Sequence, residues 1–373
     1  MMETTKTLQI NNDTEGMALA LEWAARGMYI TAPNPRVGCV IVRDGEVIGA
    51  GHTQPAGQAH AEVQALRDAA ARGNDVRGAT AYVTLEPCSH YGRTPPCSKA
   101  LVEAGLKRVV AAMGDPNPLV AGRGMAQLEA AGIATACGVL ADAAHELNIG
   151  FFSRMQRGRP WVRLKTAASL DGMTALENGE SQWITGQEAR ADGHAWRARA
   201  CAILTGIGTV KADDPQLTVR GVASFGAALR QPRRVIVDSR LEIDPGARIL
   251  QGESCWIVAA LRDPAREAVL RAAGHEIILL PNPNGKVDLA ALMRELGRRE
   301  INEVHVEAGS KLNASLVREG CVDELLVYLA PSLVGAGQGM FALPPLARLA
   351  DKIPLRFHAV TQVGNDLRIL ARF

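Results

Sequence analysis

The chain has 373 residues, of which 47% are hydrophobic and 21% are charged, and its formal net charge is +2. These values are typical of folded globular proteins and exclude an intrinsically disordered chain, and so small a charge is not that of a nucleic-acid binder. No run of about 18 apolar residues is present, so no membrane span is expected. The length predicts two domains.

The first half of the chain alternates between helix and strand patterns. Helices are expected at 13–27, 60–72, 98–104, 124–131 and 142–155, and strands at 37–42, 47–51, 80–85, 108–113 and 133–137. The turn Asp44-Gly45 joins the first two strands as a hairpin. This alternation predicts an α/β domain, residues 1–155, with helices on both faces of a sheet.

A polar segment with glycine and proline, residues 156–160, precedes a new apolar strand at 161–167. We expect the domain boundary in this segment. The second domain, residues 161–373, alternates again, with further strands expected at 202–205, 234–237, 255–259, 276–280, 303–307 and 324–329.

The beginning of the chain and its cysteines indicate a reducing compartment. Residues 1–13 lack the charged region followed by an apolar region that a secretory signal peptide requires. The seven cysteines are an odd number, so we expect them to bind metal or to pack in the core. These features predict a cytoplasmic protein.

His60, Cys88 and Cys97 are candidate ligands of a catalytic zinc ion. One imidazole and two thiolates make up the three protein ligands typical of such sites, which leave the fourth position to water. Zinc lowers the pKa of that water towards neutrality. Glu62 follows His60 by two residues, so it can face the water without binding the metal and carry its proton to a leaving amine. We expect helices to begin at His60 and near Cys88, which would favour the thiolate forms.

The pattern His-x-Glu followed by Pro-Cys is the signature of the zinc nucleobase deaminases. Most members place two residues between the cysteines, whereas eight residues, 89–96, separate Cys88 from Cys97. One alternative is a buried histidine with two packing cysteines. Another is a structural zinc, which normally requires a fourth ligand, and His90 is an alternative ligand within the insertion.

The insertion between Cys88 and Cys97 indicates which family of zinc deaminases the chain resembles. Residues 87–97, with Pro33-Asn34-Pro35-Arg36-Val37-Gly38 upstream and Asp115-Pro116-Asn117-Pro118 downstream, resemble the deaminase domain of the RibD family, the bifunctional deaminases and reductases of riboflavin biosynthesis. The resemblance covers nearly the whole chain after residue 14 and implies a cytidine-deaminase-like α/β/α fold for the first domain. It also implies deaminase substrate-binding roles for Asn34, His52, His90, Arg93 and Asp115.

Cationic donors at His52, His90 and Arg93 suit a substrate that carries a ribose phosphate. Simpler roles remain open, because Asn34 between two prolines can shape a turn and His52 can cap the end of a strand.

The second domain lacks the Rossmann fingerprint of dinucleotide-binding domains. Gly206-Ile207-Gly208 begins a G-x-G motif, but Lys211 stands where the third glycine is required, and the glycines at 335–339 also miss the pattern. Composition alone therefore does not indicate a nicotinamide cofactor.

The ordered motifs of the second domain nevertheless resemble the reductase domain of the same family. They are residues 164–172, Ser181-Gln182-Trp183-Ile184-Thr185, residues 206–220, Val306-Glu307-Ala308-Gly309-Ser310 and Val322-Asp323-Glu324. The resemblance implies a dihydrofolate-reductase-like α/β fold, which binds NADPH without the Rossmann fingerprint. The family often has two glycines after the glutamate, and Ala308 departs from this pattern.

The resemblance and the local patterns together assign candidate roles in the reductase. Arg197 and Arg220 are candidate phosphate donors, and Ser239-Arg240, after a strand, would recognise the 2′-phosphate of NADPH. Gly309-Ser310 opens a helix whose first N–H groups suit a cofactor phosphate. The substrate-binding candidates are Lys165, Ser181, Arg197, Asp213, Leu217, Arg220 and Glu307. The cofactor-binding candidates are Ala167, Trp183, Thr209, Asp213, Ser239, Arg240, Gly309 and Ser310.

The sequence thus predicts a two-step enzyme with one zinc ion and NADPH. The resemblance implies hydrolytic deamination of 2,5-diamino-6-(5-phosphoribosylamino)pyrimidin-4(3H)-one, and then reduction of the ribosyl side chain of 5-amino-6-(5-phosphoribosylamino)uracil to ribityl. It also implies a homodimer, with small phosphorylated pyrimidines and no nucleic acid or membrane as partners. The alternatives are an RNA or nucleoside deaminase with an accessory domain, and a zinc-stapled binding module without activity, which would leave Glu62 without a task.

Overall fold

A computed structural model describes residues 9–91, 95–118, 120–225 and 228–373. The chain forms two compact units. The first consists of Met1–Arg157 with Ala223–Leu229, and the second of Gly158–Val222 with Arg230–Phe373. Within the described residues, no helix combines the length and the apolar character that crossing a membrane would require.

The first unit contains a five-stranded sheet in the order β2-β1-β3-β4-β5. Its strands are β1 Gly38–Arg43, β2 Glu46–His52, β3 Thr80–Val83, β4 Arg108–Ala111 and β5 Ala134–Cys137. Its helices are α1 Asp13–Arg26, α2 Ala61–Ala71, α3 Cys97–Glu103, α4 Arg123–Ala130, α5 Ala141–Leu147 and α6 Ile149–Arg157. Strands β1 and β2 form the expected hairpin, and β3, β4 and β5 run parallel.

Two apolar clusters cover the two faces of this sheet. Ile41 and Val83 pack with Ala65 of α2 and Leu128 of α4 on one face. On the other face, Val40, Val42 and Tyr82 pack with Met17 of α1 and Ala144 of α5. Successive buried side chains of β1 and β3 thus point to opposite faces of the sheet, and helices cover both faces. This arrangement gives the expected α/β/α layers.

The prediction of one helix over 142–155 was wrong, because the chain breaks at Asn148 between α5 and α6. The buried Asn148 amide pairs with the backbone of Arg36. It accepts the Arg36 N–H at 2.7 Å and donates to the Arg36 carbonyl at 2.9 Å. This distant pairing holds Asn148 outside helical geometry, which local sequence patterns cannot show.

The second unit contains a nine-stranded sheet in the order β11-β10-β9-β8-β12-β6-β13-β16-β15, and a two-stranded ribbon of β7 and β14. The strands are β6 Trp161–Ser169, β7 Met173–Leu176, β8 Ala202–Gly206, β9 Arg233–Val237, β10 Trp256–Ala259, β11 Glu276–Leu279, β12 Glu303–Val306, β13 Glu324–Ala330, β14 Gly337–Gly339, β15 Arg356–Val363 and β16 Asp366–Arg372. The helices are α7 Gln187–Arg199, α8 Ile207–Asp213, α9 Pro264–Ala272, α10 Leu289–Arg298 and α11 Ser310–Arg318.

The seven strands from β11 to β13 in this order run parallel, and β16 and β15 add an antiparallel hairpin at one edge. This hairpin was not predicted from the sequence.

A buried network of charges crosses the centre of the nine-stranded sheet. Arg163 on β6 is 1% exposed and binds Glu303 on β12 and Glu324 on β13. Arg199 of α7 donates to Glu303, and Arg372 of β16 donates to Glu324, both at 2.8 Å. The network therefore ties four adjacent strands to the helix that covers them.

We predict that Arg163→Met destabilises the second unit by about 3–5 kcal/mol, because both carboxylates would keep their burial and lose a shared partner. The change in stability would be measured as a shift in the denaturant concentration at which half of the reductase activity is lost, the midpoint of the titration. The control is Arg348→Ala, which removes an exposed pair with Asp351 and should change the midpoint little. Equal midpoints for the two variants would contradict the prediction.

Candidate active sites

The three predicted zinc ligands lie together in the first unit. His60 precedes α2, Cys88 lies in an irregular segment after β3, and Cys97 begins α3. The ligand atoms lie within 4.8 Å of one another, and Nδ1 of His60 is 3.6 Å from Sγ of Cys88 and 3.4 Å from Sγ of Cys97. His90 is not in this group. Two sulfurs and one imidazole nitrogen at these separations fit a zinc ion.

The expectation that a helix begins near Cys88 was wrong, because the helix begins at Cys97. The Cys97 N–H donates instead to Sγ of Cys88, at 3.4 Å. Hydrogen bonding with the Cys97 thiol and with the His60 imidazole also favours the thiolate, so the pKa of Cys88 falls to about 4. The pKa of the buried Cys97 rises because its proton is shared with Cys88. The backbone and the neighbouring ligands thus supply a thiolate.

Glu62 lies in the first turn of α2 and is 3% exposed. Burial raises the pKa of its carboxyl to about 7, and the charge of Cys88 acts in the same direction. A carboxyl with this pKa can both accept and donate a proton near neutral pH.

The predicted deaminase substrate residues occupy half-buried positions, except Arg93, which lies outside the described residues. Asn34 donates its backbone N–H to the Thr31 carbonyl in a turn. His52 ends β2, with its ring centroid 6.2 Å from that of Trp23, and burial lowers its pKa. Nδ1 of His90 is buried and has no hydrogen-bond partner among the described residues.

Asp115 lies in the loop after β4. Burial raises the pKa of its carboxyl to about 6, and the charge of Glu86 adds to this shift, while the N–H of Asn117 opposes it. Its Oδ1 accepts the Asn117 N–H at 2.8 Å. The buried carboxylate of Glu86, a residue that was not predicted from the sequence, binds the backbone of this loop.

In the second unit, four of the seven candidate substrate residues lie close together at the end of β12, namely Lys165, Arg197, Arg220 and Glu307. Glu307 accepts two hydrogen bonds from the Arg197 guanidinium of α7, the one to Oε2 being 2.9 Å long. Nη1 of Arg197 donates to the Thr218 carbonyl at 3.2 Å. Burial lowers the pKa of Lys165, and the charge of Glu307 opposes the shift. These interactions bring together side chains from β6, β12 and α7 and the segment of residues 218–220.

His194, one turn before Arg197 on α7, lies in the same group of side chains, although it was not predicted from the sequence. Its Nδ1 accepts the backbone N–H of Arg220 at 3.2 Å. Burial lowers its pKa, and the charges of Arg197 and Arg220 add to this. The Arg220 side chain is exposed and donates to Thr218 at 3.2 Å. Leu217 is buried, Ser181 is half-buried, and Asp213 is exposed at the end of α8.

Six of the eight candidate cofactor residues lie at the carboxyl edge of the parallel strands. Thr209 follows β8, Ser239 and Arg240 follow β9, Gly309 and Ser310 follow β12, and Ala167 is near the end of β6. Oγ1 of Thr209 lies 3.8 Å from the position of a Cβ built on Gly309. Trp183 is 70% exposed and has the guanidinium of Arg190 4.6 Å from its ring centroid.

This edge fits a dinucleotide. Ligands of open parallel sheets bind outside the carboxyl ends of the strands, where helix N-termini present N–H groups to phosphate. Helix α11 begins at Ser310, and among the described residues no side chain caps its first turn. The Ser239 hydroxyl accepts the Val287 N–H at 3.3 Å and keeps its own proton for a ligand.

Two family models match the chain. Residues 10–113 match the zinc-binding region of cytidine and deoxycytidylate deaminases, and residues 160–369 match the RibD C-terminal domain. The chain is 48% identical over 362 residues to riboflavin biosynthesis protein RibD of Escherichia coli (strain K12), covering 94% of this chain and 96% of that protein. It is 42% identical over 360 residues to the RibD protein of Bacillus amyloliquefaciens, covering 95% of both.

Solved structures agree with these matches. Acinetobacter baumannii RibD, form 1, is 43% identical with a TM-score of 0.87, covering 96% of this chain and 98% of that chain. A diaminohydroxyphosphoribosylaminopyrimidine deaminase/5-amino-6-(5-phosphoribosylamino)uracil reductase from Thermotoga maritima is 32% identical with a TM-score of 0.85 and the same coverage. The predicted cytidine-deaminase-like and reductase folds are thereby confirmed.

We predict that Cys88→Ala and His60→Ala proteins lose zinc and ammonia release together, since two ligands remain in each. Glu62→Gln should keep zinc near one equivalent while ammonia release falls by about 10²–10⁴-fold, the usual scale of a lost general acid–base. Metal analysis and an ammonia assay of each purified variant measure both quantities. Full zinc content in a Cys88→Ala, Cys97→Ala double variant would exclude this ligand set.

Proposed function

The chain belongs to the RibD family and is a bifunctional enzyme of riboflavin biosynthesis, with a zinc-binding deaminase domain and an NADPH-using reductase domain; on this premise, we propose which residues carry out its two reactions. The deaminase hydrolyses 2,5-diamino-6-(5-phosphoribosylamino)pyrimidin-4(3H)-one. The reductase converts the ribosyl side chain of 5-amino-6-(5-phosphoribosylamino)uracil to ribityl. We place the boundary between the domains within residues 156–160. The observation that carries the proposal is the buried Glu62 beside the group of His60, Cys88 and Cys97.

In the deaminase, His60, Cys88 and Cys97 would hold Zn²⁺, which when bound supplies the Lewis acid that activates water. Glu62 would take a proton from the attacking water and deliver it to the departing amine. Its pKa of about 7 supports both transfers, because neither protonation state is strongly disfavoured near neutral pH.

The pyrimidine and its phosphoribosyl group would bind against Asn34, His52, His90 and Asp115. The buried Nδ1 of His90, which lacks a partner among the described residues, supports a contact with substrate, since such an atom is costly to leave unpaired. Arg93 remains a predicted phosphate donor.

In the reductase, Arg197, Arg220 and Lys165 would bind the phosphorylated sugar. Three of the five N–H groups of Arg197 bind Glu307 and Thr218, which leaves two for the phosphate. Glu307 would orient Arg197, and Ser181 and Leu217 would line the substrate site. Lys165 and Asp213 would position or protonate the ring-opened ribose. Burial lowers the pKa of Lys165, and partial desolvation of the otherwise exposed Asp213 raises the pKa of its carboxyl, so both groups can exchange protons more readily.

NADPH, which supplies the hydride, would be held along the carboxyl edge by Ala167, Trp183, Thr209, Asp213, Ser239, Arg240, Gly309 and Ser310. The exposed Arg240 and the hydroxyl of Ser239 would donate to its 2′-phosphate. The N-terminus of α11 would face another phosphate of the cofactor.

We also propose a homodimer that forms through the second domain. Strand β15 is an edge strand, and Phe357 on it is 72% exposed. Leu333, between β13 and β14, and Leu349, between β14 and β15, are 77% and 81% exposed. Exposed edges and apolar patches of this kind usually pack against a partner. Light scattering of the purified chain would give its mass. The free thiols of all seven cysteines support a cytoplasmic location.

We predict that the two activities can be separated. Glu62→Gln should abolish deamination and still reduce supplied 5-amino-6-(5-phosphoribosylamino)uracil. Asp213→Asn should release ammonia normally and accumulate this uracil with NADPH present. A mixture of both variants should restore the two-step conversion, because free intermediate can diffuse between molecules. Product masses measure each step, and loss of ammonia release in Asp213→Asn would contradict the separation.

We predict that Arg240→Ala raises the KM for NADPH about tenfold or more, since hydrogen bonds between charged groups contribute about 1.5–3 kcal/mol. Its KM for NADH, which lacks the 2′-phosphate, should stay close to that of the wild type. The control is Arg348→Ala, which removes an exposed arginine that pairs with Asp351. An equal loss with both cofactors would show that Arg240 does not read the 2′-phosphate.

A further inference from the structure

The carboxylate of Glu86 binds four backbone N–H groups, two in the segment after β4 and two in the first turn of α4. Oε2 accepts from Asp115 at 3.1 Å and from Gly122 at 2.9 Å, and Oε1 accepts from Gly124 at 2.9 Å and from Met125 at 3.4 Å. Glu86 is 4% exposed and lies between β3 and Cys88. A buried carboxylate with this many N–H donors is held in one position and holds its donors in return.

The donors belong to the two ends of the segment that connects β4 to α4. Gly122 adopts a left-handed conformation, with φ of +79°, and caps α4. A Cβ built on Gly124 would lie 1.9 Å from the Pro87 carbonyl oxygen, so the start of α4 packs directly on the chain beside Glu86. Glu86 therefore closes the loop from Asp115 to α4 onto the segment that carries Cys88.

Asp115 receives its position from this loop. Its backbone N–H is one of the four donors, and its Oδ1 accepts from Asn117 two residues later. The side chain is thus fixed by its own turn, and the turn is fixed by Glu86. Without the carboxylate, four backbone N–H groups, of which that of Gly124 is buried, would lose their acceptor, and the turn would lose its attachment to the end of β3.

We propose that Glu86 is a positioning residue of the deaminase, which holds Asp115 at the place where the pyrimidine binds. This inference rests on the proposed contact between Asp115 and substrate. Glu86 acts through Asp115 and takes no part in the proton transfer.

The test is a double-mutant cycle of Glu86→Gln and Asp115→Asn, with kcat and KM for ammonia release measured separately. Glutamine replaces one acceptor oxygen by an NH₂ group that faces N–H donors. We expect each single variant to raise the KM about tenfold or more, the scale of hydrogen bonds to a charged group, with a smaller change in kcat. Because Glu86 acts through Asp115, the double variant should lose no more than Asp115→Asn alone.

Three controls separate positioning from general damage. Glu103→Gln removes a carboxylate from the exposed end of α3 and should leave the KM unchanged. Zinc content should stay near one equivalent in every variant, and reductase activity reports on the rest of the chain. Should Glu86→Gln not yield folded protein, Glu86→Asp, which is too short to reach both ends of the loop, takes its place in the cycle.

Additive losses in the cycle would overturn the inference, as would loss of zinc in step with the loss of ammonia release. An Asp115→Asn protein with normal KM, beside a Glu86 variant with a raised one, would overturn it too, since Glu86 would then act elsewhere. Failure of the wild type itself to release ammonia would instead refute the proposed deaminase assignment.

Discussion

The guanidinium of Arg163 is the contact on which the arrangement of the second unit depends. Removing an ion from water costs several kcal/mol, and a buried pair repays this only when all of its partners are in place. Glu303 and Glu324 flank Arg163 on the neighbouring strands, and Arg199 of α7 completes the coordination of Glu303. The register of β12, β6 and β13 and the position of α7 are therefore set together. As a result Arg197, two residues before Arg199, meets Glu307 at the end of β12.

Apolar patterns predicted most of the parallel strands, but they could not predict this network. Within the strand predicted at 161–167, Arg163 and Lys165 alternate with Val162 and Leu164, and such charges usually lie on a face that meets water. Helix α7 instead covers this face, so its charges pair with residues up to 161 positions away in the sequence. The missed hairpin of β15 and β16 is different, because alternating residues around Gly364-Asn365 give a hairpin signal in the sequence itself. The break at Asn148 depends on Arg36 and has no local signal.

The site residues also fall into those that the sequence predicts and those that it does not. The zinc ligands could be predicted because metal chemistry restricts both the residue types and their order in the chain. Glu86 could not, because its four donors follow it by 29 to 39 residues and are backbone groups, which no residue type reveals. His194 was missed for a similar reason, since its partner is the backbone of Arg220. Sequence reasoning thus finds groups that perform chemistry more readily than groups that hold them in place.

In both sites, burial shifts the pKa of a group that we propose to transfer protons. Desolvation disfavours whichever form is charged, so it raises the pKa of a carboxylic acid and lowers that of an amine. In the deaminase it raises the pKa of Glu62 to about 7, and in the reductase it lowers the pKa of Lys165. Opposite charges limit the second shift, because Glu307 stands close enough to favour the protonated lysine. Glu307 in turn keeps its charge through Arg197, which holds the pKa of its carboxyl well below the usual value despite the burial. The Arg197–Glu307 pair therefore limits how far burial can lower the pKa of Lys165. Arg197, which keeps Glu307 charged, lies on α7.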